Sequence, residues 1–216
     1  MTQSTERGSR LRIVAMGDST TAGTPAFLSP VEAPPSGRGD VTSQYAYWLE
    51  QSHPDWEVLN RGVNGERSDQ IAARFERDVI GAKPAIVVII AGVNDVYQGR
   101  GVEHITQQLD RMYGRAAKSG IRVVAGTIIP YNTATPDQNA RMRVVNAWIE
   151  QRAAADPEIE FVDTRAAVAA PGAPDKLADS PDQLHPSAAG YRLMADAIRP
   201  VLERVAAAQS RRGGIL

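Results

Sequence analysis

Residues 85–91 read Ala-Ile-Val-Val-Ile-Ile-Ala, an apolar run with no polar residue to turn toward water. A strand with one wetted face alternates in polarity. One that does not alternate must be covered on both faces, as inside a parallel sheet flanked by helices. The run is far too short to cross a bilayer, which takes about 20 residues. Shorter runs of the same kind recur. Leu11–Met16 ends at Gly17, Trp56–Leu59 ends in Asn-Arg-Gly, Ile121–Ile129 ends before Pro130, and Ile159–Val162 reads as a short edge strand. Helical spacings separate them. Tyr45, Trp48 and Leu49 mark a short helix. Ser68 is the expected N-cap of a helix carrying Ile71, Phe75 and Val79. Val102, Ile105, Leu109 and Met112 define another, and Met142, Val145 and Ile149 the next. The last helix follows Ser187 with Tyr191, Met194, Ile198, Leu202 and Val205, and Pro200 is expected to kink or divide it. Strands alternating with helices predict an α/β sandwich with a mostly parallel sheet.

The 216 residues fit one domain, with a core over about 11–206 and flexible tails at 1–10 and 209–216. Residues 24–40 hold four prolines and two glycines and read as either a disordered insertion or a flap over an active site. A net charge of −1 offers no basic stripe for nucleic acid. With no cysteine, disulfides, thiolate metal sites and a cysteine nucleophile are excluded. The polar start lacks the apolar run of a secretory signal, so the expected location is cytoplasmic, without stable membrane insertion.

In open parallel sheets, ligands bind beyond the carboxyl ends of the strands. Four clusters fall there. Gly17-Asp18-Ser19-Thr20 follows the first strand and can expose a hydroxyl; by itself it reads first as an ordinary polar turn or helix cap. Asn60-Arg61-Gly62-Val63-Asn64-Gly65 follows the second. Gly62 has no side chain to block its N–H from a developing oxyanion, while Asn64-Gly65 is a standard turn pair. Gly92-Val93-Asn94-Asp95 follows the third, and the Asn94 amide offers uncharged donors, though an Asn there also caps helices. Asp182-Gln183-Leu184-His185-Pro186 precedes the last helix, between Pro181 and Pro186. It places a carboxylate three residues before a histidine, so one loop supplies a base and the group that orients it. The other histidines, His53 and His104, lie on amphipathic helical segments. Singly each cluster has a bland reading. Together they supply nucleophile, base, orienter and oxyanion donors, the parts acyl transfer needs.

These residues resemble the SGNH hydrolases, the GDSL-like esterases, from about Arg12 to Arg204. Ser19 matches the first block, Gly62 the second, Asn94 the third, and Asp182 with His185 the last, Asp-x-x-His. The first block reads Gly-Asp-Ser-Thr where Leu is the commoner fourth residue. The resemblance implies a three-layer α/β/α, flavodoxin-like fold with about five parallel strands. It also implies a catalytic set of Ser19, Asp182 and His185 working without metal or cofactor. The implied oxyanion hole is the Ser19 N–H, the Gly62 N–H and the Asn94 side chain. Asp18 and Asp95 are expected to hold loops together.

The expected partner is a small-molecule acyl ester. Tyr97 and Gln98 after the third strand, and Tyr131 and Asn132 after the fourth, are candidate substrate contacts whose polar tips suit a small or carbohydrate-like alcohol. A lysophospholipase or acyl thioesterase would use the same catalytic residues. A reading from another class is a flavin- or nucleotide-binding module, with the hydroxyl-rich Ser19–Thr24 loop around a phosphate. It leaves Asn94 and the Asp182–His185 pair without a task.

Overall fold

A computed structural model describes residues 10–213. Its elements run β1 (Leu11–Gly17), α1 (Ser19–Ala22), β2 (Phe27–Leu28), β3 (Arg38–Gly39), α2 (Tyr45–Ser52), β4 (Trp56–Gly62) and α3 (Ser68–Ala73). There follow β5 (Ile86–Ile90), α4 (Val93–Tyr97), α5 (Val102–Lys118), β6 (Arg122–Gly126), α6 (Pro136–Ala154) and β7 (Ile159–Val162). The chain ends with α7 (Thr164–Val168), β8 (Ala169–Ala170), β9 (Ala173–Leu177) and α8 (Ala188–Gly213).

The main sheet is five-stranded and parallel, in the order β4-β1-β5-β6-β7. The chain winds outward in both directions from β1 and β5, so these two strands flank the point where the winding reverses and a crevice opens. Successive side chains of β1 serve opposite layers. Val14 and Met16 join α3, α5 and α6 through Ile71, Leu109, Met142 and Val145. Ile13 and Ala15 join α2 and α8 through Tyr45, Leu49, Met194 and Ile198. β5 divides the same way, with Val87 and Ile89 to one layer and Ile86, Val88 and Ile90 to the other. This double burial is why residues 85–91 carry no polar side chain.

Several element boundaries differ from the sequence expectation, each for a physical reason. β4 runs on to Gly62, paired with Gly17 of β1, so Asn60-Arg61-Gly62 is strand rather than turn. β6 stops at Gly126 instead of reaching Ile129. There the Asn146 side chain takes over the pairing, accepting from the Ile128 N–H (2.8 Å) and donating to the Ile128 carbonyl (2.9 Å). Ser68 is not an N-cap. Arg67 holds that position, and the Ser68 N–H and hydroxyl both go to Asp95. The helix closes at Ala73 and is followed by a π-helical turn over Glu76–Ile80. Apolar residues spaced by four drift off one face of a regular helix; a wider turn keeps Phe75 and Val79 in the core.

α8 runs through Pro200 to Gly213, and Gln209 Nε2 donates to the Ala85 carbonyl (3.1 Å), so 209–213 is helix rather than tail. Residues 1–9 and 214–216, expected as tails, lie outside the described residues. Residues 24–40 are folded: β2 and β3 pair antiparallel and Phe27 is buried. Among the described residues, no helix is long and apolar enough to cross a membrane.

Candidate active site

β1 delivers Ser19 to the crevice. Asp18 caps α1, its carboxylate accepting from the Thr20 N–H at 3.0 Å, and Ser19 is the first residue of that turn. Burial pushes the Asp18 carboxyl up to about 7, against the lowering effect of Thr20. The loop before α8 brings His185 to Ser19. Ser19 Oγ lies 2.9 Å from His185 Nε2, and His185 Nδ1 lies 2.7 Å from Asp182 Oδ2. The other Asp182 oxygen accepts from the backbone N–H groups of Leu184 (2.9 Å) and His185 (2.8 Å). Partial burial opposes ionisation of Asp182, but these donors and His185 together hold its carboxyl below its ordinary range. The chain of contacts runs carboxylate, imidazole, hydroxyl, the arrangement that lets an imidazole take a serine proton.

Asn94 sits in α4, directly after β5. One N–H of its amide donates to the Glu66 carbonyl at 2.9 Å, and the residue lines the cleft beside Ser19. That bond ties the α4 turn to the 62–67 loop. Asp95 secures the same junction through Ser68 (2.7 and 2.8 Å) and is fully buried, which raises its pKa.

Gly62 does not occupy the place expected of it. Its N–H donates to Asn60 Oδ1 at 2.9 Å, and a Cβ at Gly62 would stand 2.0 Å from the Ala22 backbone nitrogen. The residue is glycine because β4 passes against α1 there. The N–H groups that follow are also engaged: Val63 with the Gly17 carbonyl, Asn64 with Glu32 Oε1, Glu66 with the Val63 carbonyl, and Arg67 with Gln70 Oε1. The Gly65 N–H has no partner within the described residues. Its φ is +76°, and space is open around its α-carbon. The Asn64-Gly65 pair was legible only as a turn; nothing in a glycine's identity shows where its N–H points.

A cleft of about 170 Å³ lies over Ser19 and His185, lined also by Asn64, Asn94 and the apolar side chains of Val93, Ile129 and Leu184. Tyr97 and Tyr131 form one wall, ring centroids 5.9 Å apart and edge to face. Tyr97 is exposed and Tyr131 buried. Asn132 is not in this lining. Its Oδ1 accepts from the Leu177 N–H (2.7 Å), and its amide donates to Gln183 Oε1 (3.3 Å). No residue of 24–40 lines the cleft, so the segment is not a flap over it in this structure. Instead Ser29 Oγ donates to the Gly62 carbonyl (2.6 Å), and Glu32 receives the Asn64 N–H (2.9 Å).

Among the described residues, Asp69, Asp95 and His104 bring metal-ligand atom types within 4.8 Å of one another. Both carboxylates are already held, Asp95 by Ser68 and Asp69 by Arg67, so the group reads as loop ties. His53 caps the end of α2, stacks on Trp56 at 3.9 Å and contacts Glu203 at 2.9 Å.

A doubly wound sheet carrying a serine, histidine and aspartate in contact at its switch point defines a serine hydrolase of the SGNH type, acting on carboxylic esters. Comparison with known proteins agrees with that class. The chain belongs to the GDSL-like lipase/acylhydrolase family, whose model matches residues 15–193. It is 29% identical over 213 residues to an acetylxylan esterase from Geobacillus stearothermophilus, covering 88% of this chain and 93% of that protein. A variant of an acetyl-xylooligosaccharide esterase from Geobacillus superposes with a TM-score of 0.69 at 25% identity, over 90% of this chain and 95% of the other. A GDSL-like lipase from Bacteroides thetaiotaomicron gives 0.72 at 25% identity, over 90% and 88%.

Proposed function

We propose that the protein removes short acyl groups, acetyl foremost, from small or carbohydrate-like alcohols by way of an acyl-serine intermediate. The observation that carries this reading is the unbroken contact from Asp182 through His185 to Ser19 at the floor of a small cleft. His185 Nε2 takes the Ser19 proton as Oγ attacks the ester carbonyl. Asp182 holds the ring by Nδ1 and stabilises the imidazolium that forms. The carbonyl oxygen becomes an oxyanion and needs donors already in place. We assign these to the Ser19 N–H, the Asn94 amide and the Gly65 N–H, replacing Gly62, whose N–H is engaged by Asn60. His185 then passes its proton to the leaving alcohol oxygen. A water attacks the acyl-serine carbonyl with His185 again as base, releasing the acid and restoring Ser19.

The substrate side of the proposal rests on size and relatives. About 170 Å³ lies below the usual range for drug-sized ligands, about 300–1,000 Å³. The names of the Geobacillus relatives point to acetylated sugars. The exposed Tyr97 ring at the mouth offers a surface for a sugar face.

The test is a chain-length series of aryl acyl esters together with a peracetylated xylose, run on wild type and Ser19→Ala. Loss of the nucleophile is expected to lower kcat by at least about 10³-fold on every substrate. In the wild type, kcat/KM is expected to fall steadily beyond the acetyl and propionyl esters. A Ser19→Ala protein with undiminished turnover refutes the mechanism, and a rate rising with chain length refutes the substrate class.

A further inference from the structure

We infer that Asn132 is a positioning residue that holds His185 in reach of Ser19 by fixing the backbone of Gln183. The inference rests on the catalytic reading of Ser19 and His185. The Asp182–His185 loop is short, and its geometry depends on one unusual residue. Gln183 lies between the carboxylate and the imidazole with φ at +67°, a conformation that L side chains disfavour. That turn lets Asp182 Oδ1 collect both the Leu184 and His185 N–H groups while Oδ2 meets His185 Nδ1. Were Gln183 to relax to negative φ, the loop would no longer bring acceptor and ring together.

Gln183 is exposed, so burial does not hold it there. Asn132 does. The Asn132 N–H donates to the Gln183 carbonyl at 2.8 Å, and its side-chain amide donates to Gln183 Oε1 at 3.3 Å. Asn132 is itself anchored. Its Oδ1 accepts from the Leu177 N–H at 2.7 Å, and its carbonyl accepts from Lys176 Nζ. The residue thus links the segment after β6, strand β9 and the catalytic loop. Its neighbour Tyr131 lines the cleft. A side chain read from sequence as a substrate contact acts from behind the catalytic loop.

The test compares kcat and KM on one acetyl ester for wild type, Ser19→Ala, Asn132→Ala, Gln183→Gly and the Asn132→Ala/Gln183→Gly pair. Asn132→Ala keeps the N–H bond to the Gln183 carbonyl but removes the side-chain bonds to Gln183 Oε1 and to the Leu177 N–H that hold the Asn132 backbone in place. It is expected to lower kcat about 10-fold with KM held within about twofold, since a misaligned base slows chemistry rather than binding. Gln183→Gly alone is expected to stay near wild type. In the double variant it is expected to recover most of the lost kcat, because glycine adopts positive φ without help. A general loss of packing would not be rescued by a glycine in an exposed loop. Wild-type kcat in Asn132→Ala beside an inactive Ser19→Ala overturns the inference alone, and so does a loss that Gln183→Gly does not recover. Full activity in Ser19→Ala overturns the catalytic reading instead. Should Asn132→Ala fail to fold, Gln183→Ala against Gln183→Gly carries the test. The alanine is expected to be slower, and equal kcat for the two overturns the inference.

Discussion

Asp18 shows how a single residue beside the nucleophile sets a cost for the fold. It caps α1 and thereby fixes Ser19, yet it is 1% exposed, and burial raises its pKa to about 7 from 3.8. Between those two values the native state holds a proton at Asp18 that the unfolded chain has released. Stability contributed by the neutral form is therefore complete at low pH and is lost as pH rises toward 7. At about 1.4 kcal/mol per pKa unit, the loss amounts to at most about 4 kcal/mol. Asparagine keeps the capping oxygen without the charge. Asp18→Asn is thus expected to gain stability over wild type at about pH 8 by a few kcal/mol, and little at about pH 4. Urea midpoints at the two pH values check this. Equal gains at both would mean that Asp18 is solvated and its burial costs nothing. Gly62 and Gly65 differ as sharply: one is glycine for close packing against Ala22, the other sits in open space at positive φ.

At the scale of elements, the segment 24–40 supports the site without covering it. Ser29 and Glu32 reach the 62–65 loop from outside, so the Asn64 N–H is held by Glu32 while the adjacent Gly65 N–H has no partner among the described residues. Replacing Glu32 by alanine frees that loop. The expected result is a kcat about three- to tenfold lower on acetyl esters, with KM little changed, because the donors lose alignment and the cleft walls stay. Unchanged kcat would show that the loop holds its shape alone. The sequence made the main sheet and the side chains of the Ser19–His185–Asp182 contact readable, for definable reasons. Residues 85–91 must be apolar throughout because both faces are covered. Ser19, Asn94, Asp182 and His185 carry their chemistry in their side chains. Which backbone N–H is free and which is engaged is not written in residue type, and so nothing in the sequence shows that the Gly62 N–H is held by Asn60. Ties across long stretches of chain, such as Glu32 to Asn64 and Asn132 to Gln183, leave no periodic trace. The π-helical turn after α3 was hidden for a related reason, since a spacing of four fits a regular helix nearly as well.

At the scale of the whole molecule, the site exists only when the sheet is complete. Ser19 follows β1, Asn94 follows β5, the cleft-lining Asn64 follows β4, and His185 enters from the loop before α8. No local segment holds more than one of these parts apart from Asp182 and His185. The three tryptophans report both helical layers. Trp48 and Trp56 pack with the α2–α8 side, and Trp148 with the α5–α6 side. Both layers share the strands of one sheet, so loss of either exposes β1 and β5. A single cooperative domain should then lose tryptophan fluorescence and esterase activity with the same urea midpoint. Activity fading at lower urea than fluorescence would mean that the loops at the strand ends open ahead of the core, as a separate unit of low stability. A fluorescence change in two steps would mean that the two layers unfold independently, against the shared sheet. Coincident curves would tie the catalytic contact between Ser19 and His185, 166 residues apart, to the stability of the whole fold.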